Sequence, residues 1–464
     1  MRPNVLLIVF DTARADAFEP YGAAAGASPA IGQLAGAGHA TEAFAAAPWT
    51  IPSHAAMFSG WLPFPAGMPG SHPSGIAATR AALKPLEKWW LPSVLSASGY
   101  QTAAISANGL VSAATGFDMG FDRFHDIHST RWCSWTGRPG WALQALQAKA
   151  DDGASHVERM LGEWISGPQR KPFFWFVNLI ECHSPYLPPR PYNTESARNR
   201  VLASQEWGRY LRGEDWRTVF SGDRLPPQAL ARMRRLYAGA VRLLDSWVAR
   251  LLAGLDRHGL LGETIVIITS DHGENLGEGG LMAHSYSLDD RLIKVPFVVS
   301  GPAPAVPGPR FSLIDLPGWL AGCCGLDSHP WRPATGRNVA VAQFETYGEP
   351  GDPWVTEAAA RWGIGELAMR RLTENLTCAT NGRRKLVQRG DRLELYDLET
   401  DPLEISPAAP GPAEEQRYGR ELAALRAALQ EAADASGATA AARTTRHAPS
   451  DADLEARMKS LGYL

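Results

Sequence analysis

Asp11, Thr50 and the adjacent Asp271-His272 are the residue types that could activate an oxygen nucleophile. Thr50 stands in the stretch Pro48-Trp49-Thr50-Ile51-Pro52-Ser53-His54-Ala55-Ala56-Met57-Phe58-Ser59-Gly60, which reads as a loop entering a helix. The spacing predicts Thr50 as N-cap with Pro52 in the first turn. A helix start offers backbone N–H groups and the positive end of a dipole, which together favour an anion. The hydroxyl alone is a poor nucleophile at neutral pH and needs a base or a metal. Asp11, Asp271 and His272 with Thr50 form an O/O/N/O donor set. That set is hard enough for Mn²⁺, Mg²⁺ or Ca²⁺ and acceptable to Zn²⁺. Such an ion lowers the hydroxyl pKa and polarises the oxygen of a tetrahedral oxyanion. Each residue alone has a plainer role, since Ser/Thr-x-Pro starts many helices and strand-end Asp and His residues cap loops.

The elements that must position these groups are apolar runs. Val5 to Phe10 reads as a buried strand ending at Asp11, and Phe173 to Ile180 as another, followed by Glu181-Cys182-His183. Thr264 to Thr269 is a third, followed by Ser270-Asp271-His272-Gly273-Glu274. Binding and catalytic groups of open α/β sheets gather at the carboxyl ends of strands, so all three strands deliver their polar residues to one edge. A strand over Thr102 to Ser106 brings Asn108 to that edge, either lining a pocket or capping a loop, and Val295 to Val299 is a further strand. Helices are expected over Ser28 to Gly38, Trp89 to Ser98, Ala142 to Ser166 (interrupted at Gly153) and Leu313 to Gly322. A long amphipathic helix over Pro227 to His258 carries Leu236, Val241, Leu244, Val248 and Leu252 on one side. Gly116 to Phe124 reads as turns, Gly277 to His284 as a loop, and Arg198 to Arg224 as an exposed helical excursion.

The pattern is α/β: a large, mostly parallel sheet sandwiched by helices, with a smaller C-terminal α+β domain. Composition changes near Arg332 to Gly336, after which short strands follow at Val339 to Phe344, Lys385 to Gln388 and Leu393 to Tyr396. The expected layout is a catalytic domain over 1–335 and a subdomain over 336–435, its last helix at Pro412 to Ala433. A linker and terminal helix (454–464) complete residues 436–464.

The chain of 464 residues is 45% hydrophobic and 20% charged, with formal net charge −3. That balance gives no basis for nucleic acid or an anionic membrane as partner. No stretch approaches the ~18 apolar residues of a membrane span. The five cysteines are an odd number without CxxC spacing, against a disulfide framework or zinc ribbon. The expectation is a cytoplasmic protein.

In order and context, five segments carry a family likeness. They are Arg2-Pro3-Asn4-Val5 with Asp11-Thr12-Ala13-Arg14-Ala15-Asp16 and Tyr21-Gly22; Thr50-Ile51-Pro52-Ser53-His54; Phe174 with His183-Ser184-Pro185-Tyr186; Thr269-Ser270-Asp271-His272-Gly273-Glu274; and Tyr396-Asp397-Leu398-Glu399-Thr400-Asp401-Pro402. Over nearly its whole length the chain resembles the sulfatase-like branch of the alkaline phosphatase superfamily. The resemblance implies one divalent metal held by Asp11, Asp271, His272 and the nucleophile, Mn²⁺ or Zn²⁺ ahead of Ca²⁺ or Mg²⁺. It also implies that His183 and His284 bind the substrate oxyanion or protonate the leaving group.

The chain departs from that family at the nucleophile. Sulfatases carry Cys or Ser there, oxidised to formylglycine, followed by x-Pro-Ser-Arg; here the nucleophile position is Thr50 and the Arg position His54. A secondary alcohol cannot become that aldehyde. Thr12 also stands where a second aspartate is usual, so the site looks like the phosphodiesterase-type members. The expectation is therefore a metal-dependent hydrolase of phosphate mono- or diesters with Thr50 as covalent nucleophile. His183 and His284 assist, and His54 and Asn108 join them in binding a small-molecule ester. Alternatives are a sulfate-ester hydrolase, a phosphoryl-group transferase or a non-catalytic binding member; a homo-oligomer is left open.

Overall fold

The structure is a computed structural model. It describes residues 2–64, 76–127, 146–149, 151–168, 172–211, 225–303, 305–306, 310–331, 338–346, 350–362 and 365–437. The expected terminal helix at 454–464 lies outside them, as do the first residues of the helix expected from Ala142 and the end of the excursion to Arg224.

Strands β1 (Asn4–Phe10), β2 (His39–Phe44), β3 (Gln101–Ser106), β4 (Arg123–Asp126), β5 (Phe173–Leu179) and β6 (Thr264–Thr269) belong to the main sheet. Two short strands, β7 (Asn275–Leu276) and β8 (Met282–Ala283), form a separate ribbon. Strands β9 (Lys294–Ser300) and β10 (Arg310–Ser312) complete the main sheet, which is eight-stranded among the described residues in the order β10-β2-β9-β6-β1-β5-β3-β4. All its pairings are parallel except those of β9 with β2 and β6.

The centre of that sheet explains the apolar runs. β1 is flanked by β5 and β6, in parallel register with Ile8 opposite both Val177 and Ile268. Buried on both faces, Val5 to Phe10 are wholly inaccessible, as a continuous apolar run in a parallel sheet requires. Each such side chain contributes about 1.5–3 kcal/mol on burial, so the polar residues at the strand ends hang from a fully buried strand.

Helices α1 (Pro29–Ala37), α2 (Thr50–Ser59), α3 (Ile76–Leu83) and α4 (Leu91–Ala97) precede a helix at Ala154–Ser166, for which Gly153 is the N-cap and not an interruption. The 31-residue helix Pro227–Arg257 buries Leu236, Val241, Leu244 and Val248, with Leu252 partly buried against the same core. No described helix is long and apolar enough to cross a membrane.

Strands β11 (Ala340–Phe344), β12 (Leu376–Thr380), β13 (Arg384–Arg389) and β14 (Arg392–Asp397) form an antiparallel sheet in that order. The helix Pro412–Gly437 covers it, with Leu422, Leu425 and Leu429 packed on Leu386 and Leu395. A buried cation ties this sheet to the layer of the main sheet. Lys385 Nζ lies 2.6 Å from Asp290 and 2.8 Å from Glu404, and donates to the Leu288 carbonyl at 2.9 Å. Two sequence expectations are corrected here. The turn-rich stretch ending at Phe124 already contains the start of β4, and the loop from Gly277 to His284 contains β8, which pairs with β7 just before the loop.

Candidate active site

The sheet order β6-β1-β5-β3 sets the site. Asp271-His272 follow β6, Asp11 follows β1, His183 lies beyond β5 and Asn108 beyond β3, so neighbouring strands deliver them to one edge. All are buried: Asp11, Thr50, Asn108, Asp271 and His272 at 0% exposure, His183 at 3% and His284 at 6%.

Thr50 is the first residue of α2, and Trp49, in extended conformation, is the N-cap. The expected N-cap role is thus shifted by one residue, because the chain enters α2 straight and turns only at Thr50. Thr50 is therefore the first helical residue and not the cap. It points into the cluster, with Oγ1 3.4 Å from His272 Nε2 and 3.5 Å from Asn108 Nδ2. α2 opens with amides that have no intrahelical acceptor.

The two carboxylates are bound on one side and bare on the other. Asp11 Oδ2 accepts from Asn108 Nδ2 at 2.6 Å, whereas Oδ1 has no hydrogen-bond partner. Asp271 Oδ1 accepts the His272 amide at 2.9 Å and the Thr12 amide at 3.3 Å. Its Oδ2 lies 3.3 Å from both His54 Nδ1 and His272 Nε2, in hydrogen-bond geometry with neither. His272 Nδ1 donates to the Gly273 carbonyl at 2.9 Å, which fixes the tautomer and leaves the Nε2 lone pair facing the carboxylates. Ligand atoms of Asp11, Asp271 and His272 all lie within 4.8 Å of one another.

Electrostatics point the same way. Burial raises the Asp11 carboxyl well above its usual value, and the neighbouring Asp271 charge adds to the shift. Burial also works against Asp271, but the His272 and His54 rings outweigh it and hold that carboxyl at about 2. His272 is lowered to about 4 by burial. Two carboxylates competing for one space, bare oxygens and an imidazole lone pair are what a divalent cation satisfies. The residues present fit such an ion.

His183 Nδ1 bonds the Ser184 carbonyl at 2.8 Å. Its ring lies 5.1 Å, centroid to centroid, from that of His284, which in turn lies 4.6 Å from His272. Burial lowers both His183 and His284 to about 4, so both rings are neutral at neutral pH.

His54 lies beneath the first turn of α2, where Nδ1 is 3.0 Å from the Thr50 carbonyl and Nε2 3.2 Å from Asn178 Nδ2. Phe117 and Phe176 pack edge-on against its ring. Arg14 is ion-paired with Asp16 and Glu278, and Lys294 with Glu42.

Three supporting residues were not assigned from sequence. Asn178 is a wholly buried amide inside the apolar run of β5, and such a group needs hydrogen-bond partners; that mismatch was the readable signal. Ser53 donates to the Asp271 carbonyl at 2.5 Å. Glu274 Oε1 lies 3.0 Å from His284 Nδ1, and burial pushes its carboxyl up to about 7. Gly273 is required between His272 and Glu274, because a Cβ there would sit 1.9 Å from the Arg291 carbonyl oxygen.

A mostly parallel sheet with a second antiparallel sheet, carrying an Asp/Asp/His cluster beside a helix-start hydroxyl, is the architecture of the sulfatase-like branch of the alkaline phosphatase superfamily. The Sulfatase family matches residues 3–312, and the chain belongs to it. It is 31% identical over 253 residues to the choline-sulfatase of Rhizobium meliloti (strain 1021), covering 52% of this chain and 47% of that one. It is 26% identical over 170 residues, 32% of each chain, to the multifunctional alkaline phosphatase superfamily protein PehA of Trinickia caryophylli. The chain thus aligns with less than half the length of these curated relatives. Among solved structures, the phosphonate monoester hydrolase of Agrobacterium radiobacter shares the fold with a TM-score of 0.62. Its identity is 20%, and 92% of this chain and 96% of that one are covered.

Proposed function

We propose that this protein is a metal-dependent phosphoester hydrolase, cleaving phosphate mono- or diesters by double displacement through Thr50. The observation that carries the reading is the Thr50 hydroxyl itself. It stands at the first position of α2 and faces His272 Nε2 at 3.4 Å, and threonine closes the formylglycine route. Asp11, Asp271 and His272 would hold a divalent metal, Mn²⁺ or Zn²⁺ before Ca²⁺ or Mg²⁺, whose charge favours ionised Thr50 and an anionic ester.

This chain's residues do the rest. Thr50 Oγ1 attacks phosphorus, forming the Oγ1–P bond and breaking the bond to the leaving oxygen, while the amides that open α2 stabilise the developing charge. His183 and His284 meet the ester oxygens. Neutral when alone, both rings gain proton affinity as an anion arrives; one takes up the proton that leaves the Thr50 hydroxyl and hands it to the departing alkoxide. Water then cleaves phospho-Thr50 and restores the hydroxyl. His54 and Asn178 hold Asp271 and the first turn of α2, and Asn108 orients Asp11.

The choline-sulfatase likeness favours a second reading, sulfate-ester hydrolysis with unmodified Thr50. Sulfo-Thr50 would have to be broken by water, without the aldehyde's own elimination. A panel of phosphate mono- and diesters, phosphonate monoesters and sulfate esters, each with Mn²⁺, Zn²⁺, Mg²⁺ and Ca²⁺, separates the two. A phosphate adduct on Thr50 after quench, read by intact mass and peptide mapping, is the expected result. Turnover confined to sulfate esters overturns the proposal.

A further inference from the structure

We propose that Glu274 is a positioning residue that sets the ring orientation and tautomer of His284; this rests on the reading of His284 as a group that meets the ester. Glu274 lies two residues beyond His272, on the same strand-end loop, and its side chain does not join the cluster of Asp11, Asp271 and His272. Instead Oε1 lies 3.0 Å from His284 Nδ1, both side chains being nearly or wholly inaccessible to solvent.

Ribbon geometry creates the pair. β7 and β8 run antiparallel, with Asn275 opposite Ala283 and Leu276 opposite Met282, so the next step of the same register sets Glu274 opposite His284. The backbone of Glu274 is held from both sides. The Arg14 guanidinium donates to its carbonyl at 3.2 Å, and the amide of the preceding Gly273 donates to the Leu292 carbonyl at 2.8 Å. The His284 side is strained: Ala283, Ser285 and Tyr286 have φ of 58°, 83° and 61°. Non-glycine residues in that region are strained and persist only where the surroundings over-determine them. Backbone strain of this kind aims a ring without choosing which nitrogen carries the proton. An acceptor on Nδ1 makes that choice: it retains the proton on Nδ1 and leaves the lone pair on Nε2.

The test uses the full chain labelled with ¹⁵N-histidine, with His284→Gln to assign the resonance. Nitrogen shifts and two-bond couplings should show His284 protonated at Nδ1 in the wild type and in Glu274→Gln, whose amide oxygen still accepts. In Glu274→Ala the tautomer should move to Nε2–H or a mixture. Protonation of His284 at Nε2 in the wild type overturns the proposal, whatever ester the enzyme cleaves, so this readout stands apart from the phosphoester reading. The kinetic arm is a double-mutant cycle on whichever ester is turned over. Glu274→Ala should lower kcat roughly 10- to 100-fold, the usual effect of removing a histidine's hydrogen-bond partner, and should have almost no effect in the His284→Ala background. Equal losses in both backgrounds would mean that Glu274 acts independently of His284 and would overturn the assignment. If Glu274→Ala does not fold, the wild-type and Glu274→Gln spectra still decide.

Discussion

Thr50 Oγ1 lies 3.4 Å from His272 Nε2, although 222 residues separate them. Because His272 Nδ1 is committed to the Gly273 carbonyl, the nitrogen facing Thr50 carries a lone pair. A helix-start hydroxyl, an imidazole lone pair and two half-bare carboxylates therefore share one buried space, and the expected behaviour of variants follows from that sharing.

Thr50→Ala should lose several orders of magnitude in kcat on the best phosphoester while its thermal unfolding stays close to wild type. Thr50→Ser retains the oxygen and should keep measurable activity; Thr50→Cys offers a softer ligand and should be weak. Near-wild-type turnover in Thr50→Ala would show that no covalent step on this residue is needed.

Asp271→Ala removes one of the competing carboxylates and a bare oxygen. It should abolish both bound divalent metal, measured by inductively coupled plasma analysis, and turnover. Wild-type metal stoichiometry in this variant would refute the ligand assignment.

His183→Ala should separate proton transfer from charge binding. On alkyl esters, whose alkoxide leaving group needs a proton, the loss should be roughly 10²- to 10⁴-fold. On p-nitrophenyl esters it should be much smaller. Equal losses on both would make His183 an oxyanion binder instead.

Glu404 gives a pH signature far from the chemistry. Burial pushes its carboxyl from 4.5 up to about 8, against the pull of Lys385. Between those values the folded chain holds a proton that the unfolded chain has released. Stability from this group is thus complete below its unfolded pKa and is lost as pH rises through the folded one. The difference in unfolding free energy between wild type and Glu404→Gln should fall by about 1.4 kcal/mol per pH unit between roughly pH 5 and 8. Denaturant titrations at several pH values measure it; a difference that does not change with pH would contradict the shift.

Much of this protein was legible in one dimension. Val5 to Phe10, Phe173 to Leu179 and Thr264 to Thr269 announce themselves because a strand buried on both faces must be apolar throughout. A polar residue just past such a run has few places to be except the strand-end edge. That is why Asp11, Asp271 and His272 could be grouped before any coordinates. Strand β2, His-Ala-Thr-Glu-Ala-Phe, carries no such pattern; it is a strand because β9 and β10 pair with it on either side.

The tertiary structure alone decided what the polar groups do with one another. Local chemistry made Thr50 an N-cap, and only the extended entry through Trp49 moved it to the first helical position and turned its hydroxyl inward. His54 reads as a substrate contact from its place after Pro52-Ser53, yet in the fold it lies between Asp271, Asn178 and the aromatic floor. The Glu274–His284 pair is likewise invisible in sequence. Its closure depends on a ribbon whose register and positive φ values are set by long-range packing, and residue order carries hydrophobic period and turn preference but not the contacts that override them.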